Sequence, residues 1–127
     1  MELTNWAIEF VKARNAFTRT LREHSVQGDV VTFVHKHKVH HFLCQERLSV
    51  PVASDTYTVV CLNAEENLAF LITHWKEFLQ PSLSVIFVNP QQHAHWQVSP
   101  KVHAMVADEE TLEEGLRSLA SEVPFLS

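Results

Sequence analysis

The chain has 127 residues, 46% of them hydrophobic, with two glycines, five prolines and a formal charge of −5. That length and composition suit one globular domain spanning residues 1–127, and they exclude disordered and fibrous classes. The acidic balance argues against a dedicated nucleic-acid binder, because attraction to phosphates supplies most non-specific binding, but it does not exclude nucleic acid as a partner.

The first residues, Met-Glu-Leu-Thr-Asn-Trp, lack the basic and apolar regions of a secretory leader. Leu3, Trp6, Phe10, Ala13, Phe17 and Leu21 recur at three- and four-residue steps, which predicts a helix of about 20 residues. Gly28-Asp29 breaks that pattern. Val30–Val34 and Val39–Cys44 read as strands, with the solvated tip His35-Lys-His-Lys38 between them. Ser49–Thr56 is expected to be a loop.

The stretch from Tyr57 to Pro90 is the most regular. Two apolar runs, Tyr57–Leu62 and Ser84–Val88, flank a helix striped by Leu68, Leu71, Ile72, Trp75, Phe78 and Leu79 and stopped by Pro81. This is the form of a parallel crossover unit buried on both faces. Asn63 stands three residues ahead of Glu66, which predicts a side-chain cap on that helix. Beyond Asn89-Pro90, His93–Val98 is expected to be a short edge strand and Val102–Ala107 another strand. Asp108 is then expected to cap a last helix striped by Leu112, Leu116, Leu119 and Val123. Gly115 inside it weakens helix propensity by about 1 kcal/mol, which a close packing contact would explain. The predicted class is therefore α/β: a mixed sheet of four to six strands with three helices, in the order αβββαβ(β)βα.

Charge divides along the chain. Residues 1–47 carry seven Lys/Arg against five acids, a balance of +2, whereas residues 48–127 carry three against ten. The N-terminal half is thus the one able to face something anionic. Cys44 and Cys61 sit inside apolar runs, the setting of reduced, inert thiols in a cytoplasmic protein; a bridge between them requires adjacent strands in register. No apolar run approaches the ~20 residues needed to span a bilayer, so no membrane partner is expected.

Nine histidines are the first candidate site. A His-x-His pair on a strand presents both rings on one face, so His35 with His37 and His93 with His95 offer four nitrogens to Zn²⁺ if the pairs meet. The strand-to-helix junction Cys61–Glu66 has no glycine and puts carboxylates where a phosphate would sit, so no nucleotide cofactor is expected.

The element order over residues 3–90, helix, three strands, helix, strand, resembles the core of the restriction-endonuclease-like PD-(D/E)xK nucleases. In that family an Asp on one strand and an Asp/Glu-x-Lys on the next hold Mg²⁺, which activates water. The resemblance implies Asp29 and Glu46 as the acids, with Glu9 from the first helix. The chain departs from the motif in having Leu48 at the lysine position and no proline before Asp29. The leading expectation is a non-enzymatic binding or assembly module, homo-oligomeric or with a protein partner, exposing an apolar patch or edge. The alternative is a metal-dependent nuclease-like or other hydrolytic enzyme, degenerate or active, using Zn²⁺ or Mg²⁺.

Overall fold

A computed structural model describes residues 3–51, 57–106 and 108–126. Helix α1 (Leu3–Thr18) leads into four strands, β1 (Leu21–Gln27), β2 (Val30–His35), β3 (Val39–Cys44) and β4 (Tyr57–Leu62). Helix α2 (Glu65–Thr73) and a 3₁₀ turn (Trp75–Phe78) connect to β5 (Leu83–Asn89) and β6 (Ala94–Val98). Helix α3 (Pro100–Val106), a second 3₁₀ turn (Glu109–Thr111) and α4 (Leu112–Ala120) follow. Among the described residues the strands form a single six-stranded mixed sheet in sequential order β1-β2-β3-β4-β5-β6. The first three strands form an antiparallel meander, β3, β4 and β5 run parallel, and β6 returns antiparallel. The expected class is met.

Two apolar layers sandwich the sheet unequally. One face carries Val31, Phe33, Phe42, Cys44, Val60, Ile86 and Val88, on which α1 sets Leu3, Ala7 and Val11. The other face carries Val59, Cys61, Val85, Phe87, Trp96 and Val98, which α2, the first 3₁₀ turn and α4 cover with Leu68, Leu71, Trp75, Phe78, Leu112 and Leu116. The central strands β4 and β5 are therefore buried on both sides, as their continuous apolar runs predict.

Several expectations are corrected. The first helix ends at Thr18, and Leu21 opens a strand instead of closing the helix. Its buried positions are Leu3, Ala7 and Val11, so Phe17 stands 90% exposed. Strand β1 escapes the pattern because its side chains are mostly exposed; the legible signal was Gly28-Asp29, the two-residue hairpin turn between Gln27 and Val30, where Gly28 takes φ +63°. Residues 102–106 belong to a helix, since Pro100 is well placed in a first helical turn. The helix total is thus four among the described residues, against the three expected. Asn63 does not cap α2, whose first turn begins at Glu65 after Ala64. Gly115 meets no close neighbour either: a β-carbon there would lie 3.9 Å from Nε2 of His103, an ordinary contact. Part of the Ser49–Thr56 loop, residues 52–56, and position 107 lie outside the described residues.

Candidate functional site

The meander, the parallel pairing and α1 together create a cleft at one end of β2 and β3. The backbone N–H of Cys44 donates to the carbonyl of Asp29 at 2.8 Å, which ties the β1–β2 turn to the last residue of β3. Pairing with β4 continues past β3, because Gln45 donates to Val60 at 2.8 Å and Leu62 donates to Glu46 at 3.3 Å. Buried Asn67 of α2 then holds the chain after Glu46. Its Oδ1 accepts from the Leu48 N–H at 2.8 Å, while its Nδ2 donates to the carbonyls of Glu46 at 2.8 Å and Leu62 at 2.7 Å. Satisfying three backbone groups with one buried amide fixes residues 46–48 tightly.

The result is a cleft of about 360 Å³ lined by Asp29, Glu46, Gln45, Cys44, Gly28 and the first residues of α1, Leu3 and Thr4. Both carboxylates suggested by the nuclease resemblance thus reach one cleft. Glu9 does not line it; it lies on the exposed side of α1. Leu48, at the family's lysine position, is 5% exposed and belongs to the core. The residues present therefore supply two acids and an amide, without the lysine. Such a set suits a hydrated Mg²⁺, which keeps several waters and binds through one or two carboxylates. Among the described residues no three His, Cys, Asp or Glu side chains converge as a metal cage.

The histidine pairs stand apart. His35 closes β2 and His37 lies in the turn that follows, whereas His93 precedes β6 and His95 lies within it. Strands β2 and β6 are separated by β3, β4 and β5, and the pairs sit at opposite ends of the sheet, so they lie at least about 19 Å apart at the usual strand spacing and share no ion. His95 instead packs edge-on against Trp6 and Phe10, at ring distances of 5.4 and 5.3 Å. Its pKa is lowered by burial and then by Arg14.

Both thiols are buried and held protonated. Burial, and then the Asp29 charge, pushes Cys44 up to about 12, and burial likewise raises Cys61. Although β3 and β4 are adjacent, Cys44 faces the α1 layer and Cys61 the opposite layer, so both remain free.

The carboxyl ends of β4 and β5, where open α/β sheets usually take ligands, are filled by the chain itself. Asn63 Nδ2 donates to the carbonyls of Val123 and Pro124 at 3.2 and 3.0 Å, and Asn89 Nδ2 donates to Pro124 at 2.8 Å. Leu126 N–H returns to the Asn63 carbonyl at 3.0 Å. Trp96 is buried, stacked on Phe87 at 4.3 Å, and donates Nε1–H to Asn63 Oδ1 at 2.9 Å. Trp96 is thus a core residue, and the apolar C-terminal segment folds back onto its own domain. Sequence reasoning gave Asn63 the wrong role, as a helix cap, and missed Asn67 and Asn89. For Asn63 and Asn89 the signal was a polar residue directly ending an apolar run, at Leu62-Asn63 and Val88-Asn89.

With this geometry in view, comparison of the chain with family models, curated proteins and solved structures gives no match. No helix among the described residues is long and apolar enough to cross a membrane.

Proposed function

We propose that the chain is a non-enzymatic binding and assembly module that pairs with a second copy of itself through the outer face of β1–β3. One observation carries this reading: among the described residues the layer of α2, α3 and α4 lies over β4–β6 and leaves the same face of the meander without a helix. Val30, Thr32, Val34, His41 and Leu43 are only partly covered there, and Val39 is 45% exposed. Thr32 and His41 satisfy each other across the strands at 3.1 Å, so the apolar surface lies on β2 and β3, while the register puts Glu23, Ser25 and Gln27 of β1 beside it as a polar margin. Three strands of this length present roughly 300 Å², by usual strand spacing and rise, against ~800 Å² per partner in a stable interface. A surface that small gains most from a two-fold contact, which uses every favourable interaction twice. The unpaired outer edge of β1 adjoins it and adds backbone donors and acceptors.

The reading places the module in the cytoplasm, consistent with two buried unbridged thiols. It predicts weak dimerisation: in sedimentation velocity the mass should rise with concentration, and Val39→Glu should hold the chain monomeric with its melting temperature nearly unchanged. A chain that stays monomeric at every concentration, or a dimer indifferent to Val39→Glu, removes the proposal.

A second reading is supported by the shared cleft of Asp29 and Glu46: a metal-dependent, nuclease-like hydrolytic site, degenerate at the lysine. It predicts Mn²⁺ binding by calorimetry that Asp29→Asn and Glu46→Gln each weaken about tenfold, the loss of roughly one charge-assisted contact. Binding unaffected by either change would rule it out.

A further inference from the structure

A second cavity lies on the α1 side of the sheet, at the opposite end of β2 and β3 from the acidic cleft. It occupies about 310 Å³ and is lined by Val11, Arg14, Asn15 and Thr18 of α1, by Thr20, by His35 and Lys38 at the β2–β3 turn, and by His40 and Phe42 of β3. That is within the size of small-ligand pockets. Its floor is apolar, because Val11 and Phe42 are buried. Its polar walls are all cationic or neutral; none of these nine residues is acidic.

The positive charge is uncompensated. Among the described residues the ion pairs are those of Arg117 with Glu65 and Glu113, and of His74 with Glu77, so neither Arg14 nor Lys38 is neutralised by a carboxylate. Arg14 rests over the Phe10 ring at 5.2 Å, which orders it without cancelling its charge. The carboxyl end of α1 contributes only about half an elementary charge of opposite sign. The neighbouring imidazoles register the excess: His35 has its pKa lowered by burial and then by Lys38. His40 is lowered to about 4 by burial first, then by Lys38, His35, His41 and Arg14.

The neutral groups are donors in reserve. Asn15 Oδ1 already accepts the Leu21 N–H at 2.9 Å, which leaves its amide N–H groups to donate. Thr20 Oγ1 is 3.2 Å from His35 Nδ1 and donates to Thr18 Oγ1 at 3.5 Å, so the Thr18 hydroxyl proton is free to turn inward. His40 Nε2 is engaged with Thr58 Oγ1 at 2.7 Å and holds the back wall. An ammonium, a guanidinium, an amide and a hydroxyl around one cavity match a tetrahedral dianion with several acceptor oxygens better than a planar carboxylate.

We infer that this pocket binds the phosphate group of a small phosphate ester or free phosphate, with Arg14 and Lys38 as the charged ligands and Thr18 and Asn15 as neutral donors. The site lies on the opposite face of the sheet from the dimer surface and at the opposite end of β2 and β3 from the acidic cleft, and it uses two of the seven Lys/Arg of the first 47 residues.

The test is an NMR titration of the full chain, following the His35 and His40 ring signals, at constant ionic strength set with chloride. Inorganic phosphate and glycerol 3-phosphate should each give saturable shifts and raise the pKa of His35, and acetate should bind at least tenfold more weakly. Tighter binding of the ester identifies an ester ligand, and equal binding identifies free phosphate. Lys38→Gln and Arg14→Gln should each weaken binding about tenfold or more, with Arg14→Lys recovering part of the loss. Melts of each variant establish that it is folded, and if Arg14→Gln is not, Lys38→Gln carries the test alone. Shifts that chloride reproduces, or binding that survives Lys38→Gln unchanged, overturn the inference. A short single-stranded oligonucleotide that binds while both phosphates fail overturns it in favour of a nucleic-acid backbone contact.

Discussion

The two halves of the sheet are built on different economies of burial. Strands β4 and β5 lie between α1 on one side and the helical layer on the other, and their side chains are nearly all buried, while β6 buries Trp96 and Val98 on the helical side and exposes His95 and Gln97. Strands β1–β3 share α1 but have no second layer among the described residues, and β1 is exposed along almost its whole length. The thick half therefore carries the stability, while the thin half carries both clefts and the open face. A region with one covered side has side chains left over for contact with something else.

The sharpest way to break that contrast is to remove equivalent apolar groups from each half. Phe87 is fully buried and stacked on Trp96, so Phe87→Ala should destabilise by about 3–5 kcal/mol, the usual range for a cavity that cannot collapse. Val39→Thr on the open face should stay within about 0.5 kcal/mol. Urea unfolding of both variants measures the difference, and comparable losses would mean that the meander is as load-carrying as the centre.

The seam between the halves can be probed by pH. His40 of β3 meets Thr58 of β4 at 2.7 Å, and burial together with neighbouring cations lowers its pKa to about 4. Because the folded value lies below the unfolded 6.5, the stabilisation from neutral His40 is complete above pH 6.5 and lost as pH falls through 4. The loss should be of order 2 kcal/mol after discounting for partial exposure. His35 and His95 are shifted in the same direction and add to the slope. Melting of the parent and of His40→Gln across that range should show a shallower decline in the variant; parallel declines would place the pH sensitivity elsewhere.

The smallest effect sharpens the picture of the covering layer. Gly115 of α4 has a negative φ and room for a methyl group. Gly115→Ala should stabilise by about 0.5–1 kcal/mol, with the gain confined to helix propensity. A destabilised variant would show that α4 packs more closely on His103 than a 3.9 Å approach implies.

Much of the fold was legible where burial was symmetric. The runs Tyr57–Leu62 and Ser84–Val88 had to lie between two layers, and the helix between them had to cross over. The same logic failed where burial was absent or one-sided. β1 presents seven residues without an apolar repeat and becomes a strand because β2 offers it an unpaired edge. Val102–Ala107 reads as a strand by composition, but Pro100–Val106 forms a helix, with Pro100 in its first turn. Leu21 and Phe17 continue the spacing of α1, yet the helix ends first and the sheet captures Leu21.

The candidate sites show the same limit. Asp29 and Glu46 were legible as acids near the ends of neighbouring strands, but only the backbone bond from Cys44 to Asp29 and the Asn67 clamp put them in one cleft. The histidines were legible as a count, and strand order alone decided that their two pairs stand apart. Arg14 and Lys38 are 24 positions apart in a mildly basic stretch, and nothing in their spacing joins them. The sequence by itself determined the α/β class, the buried centre and the segregation of charge, because local periodicity and hydrophobicity act over a few residues. Tertiary structure decided which face stays bare, which asparagines fill buried bonds and which cations share a pocket. Those outcomes depend on contacts between segments distant in the chain, where strand order and register, rather than local preference, set what meets what.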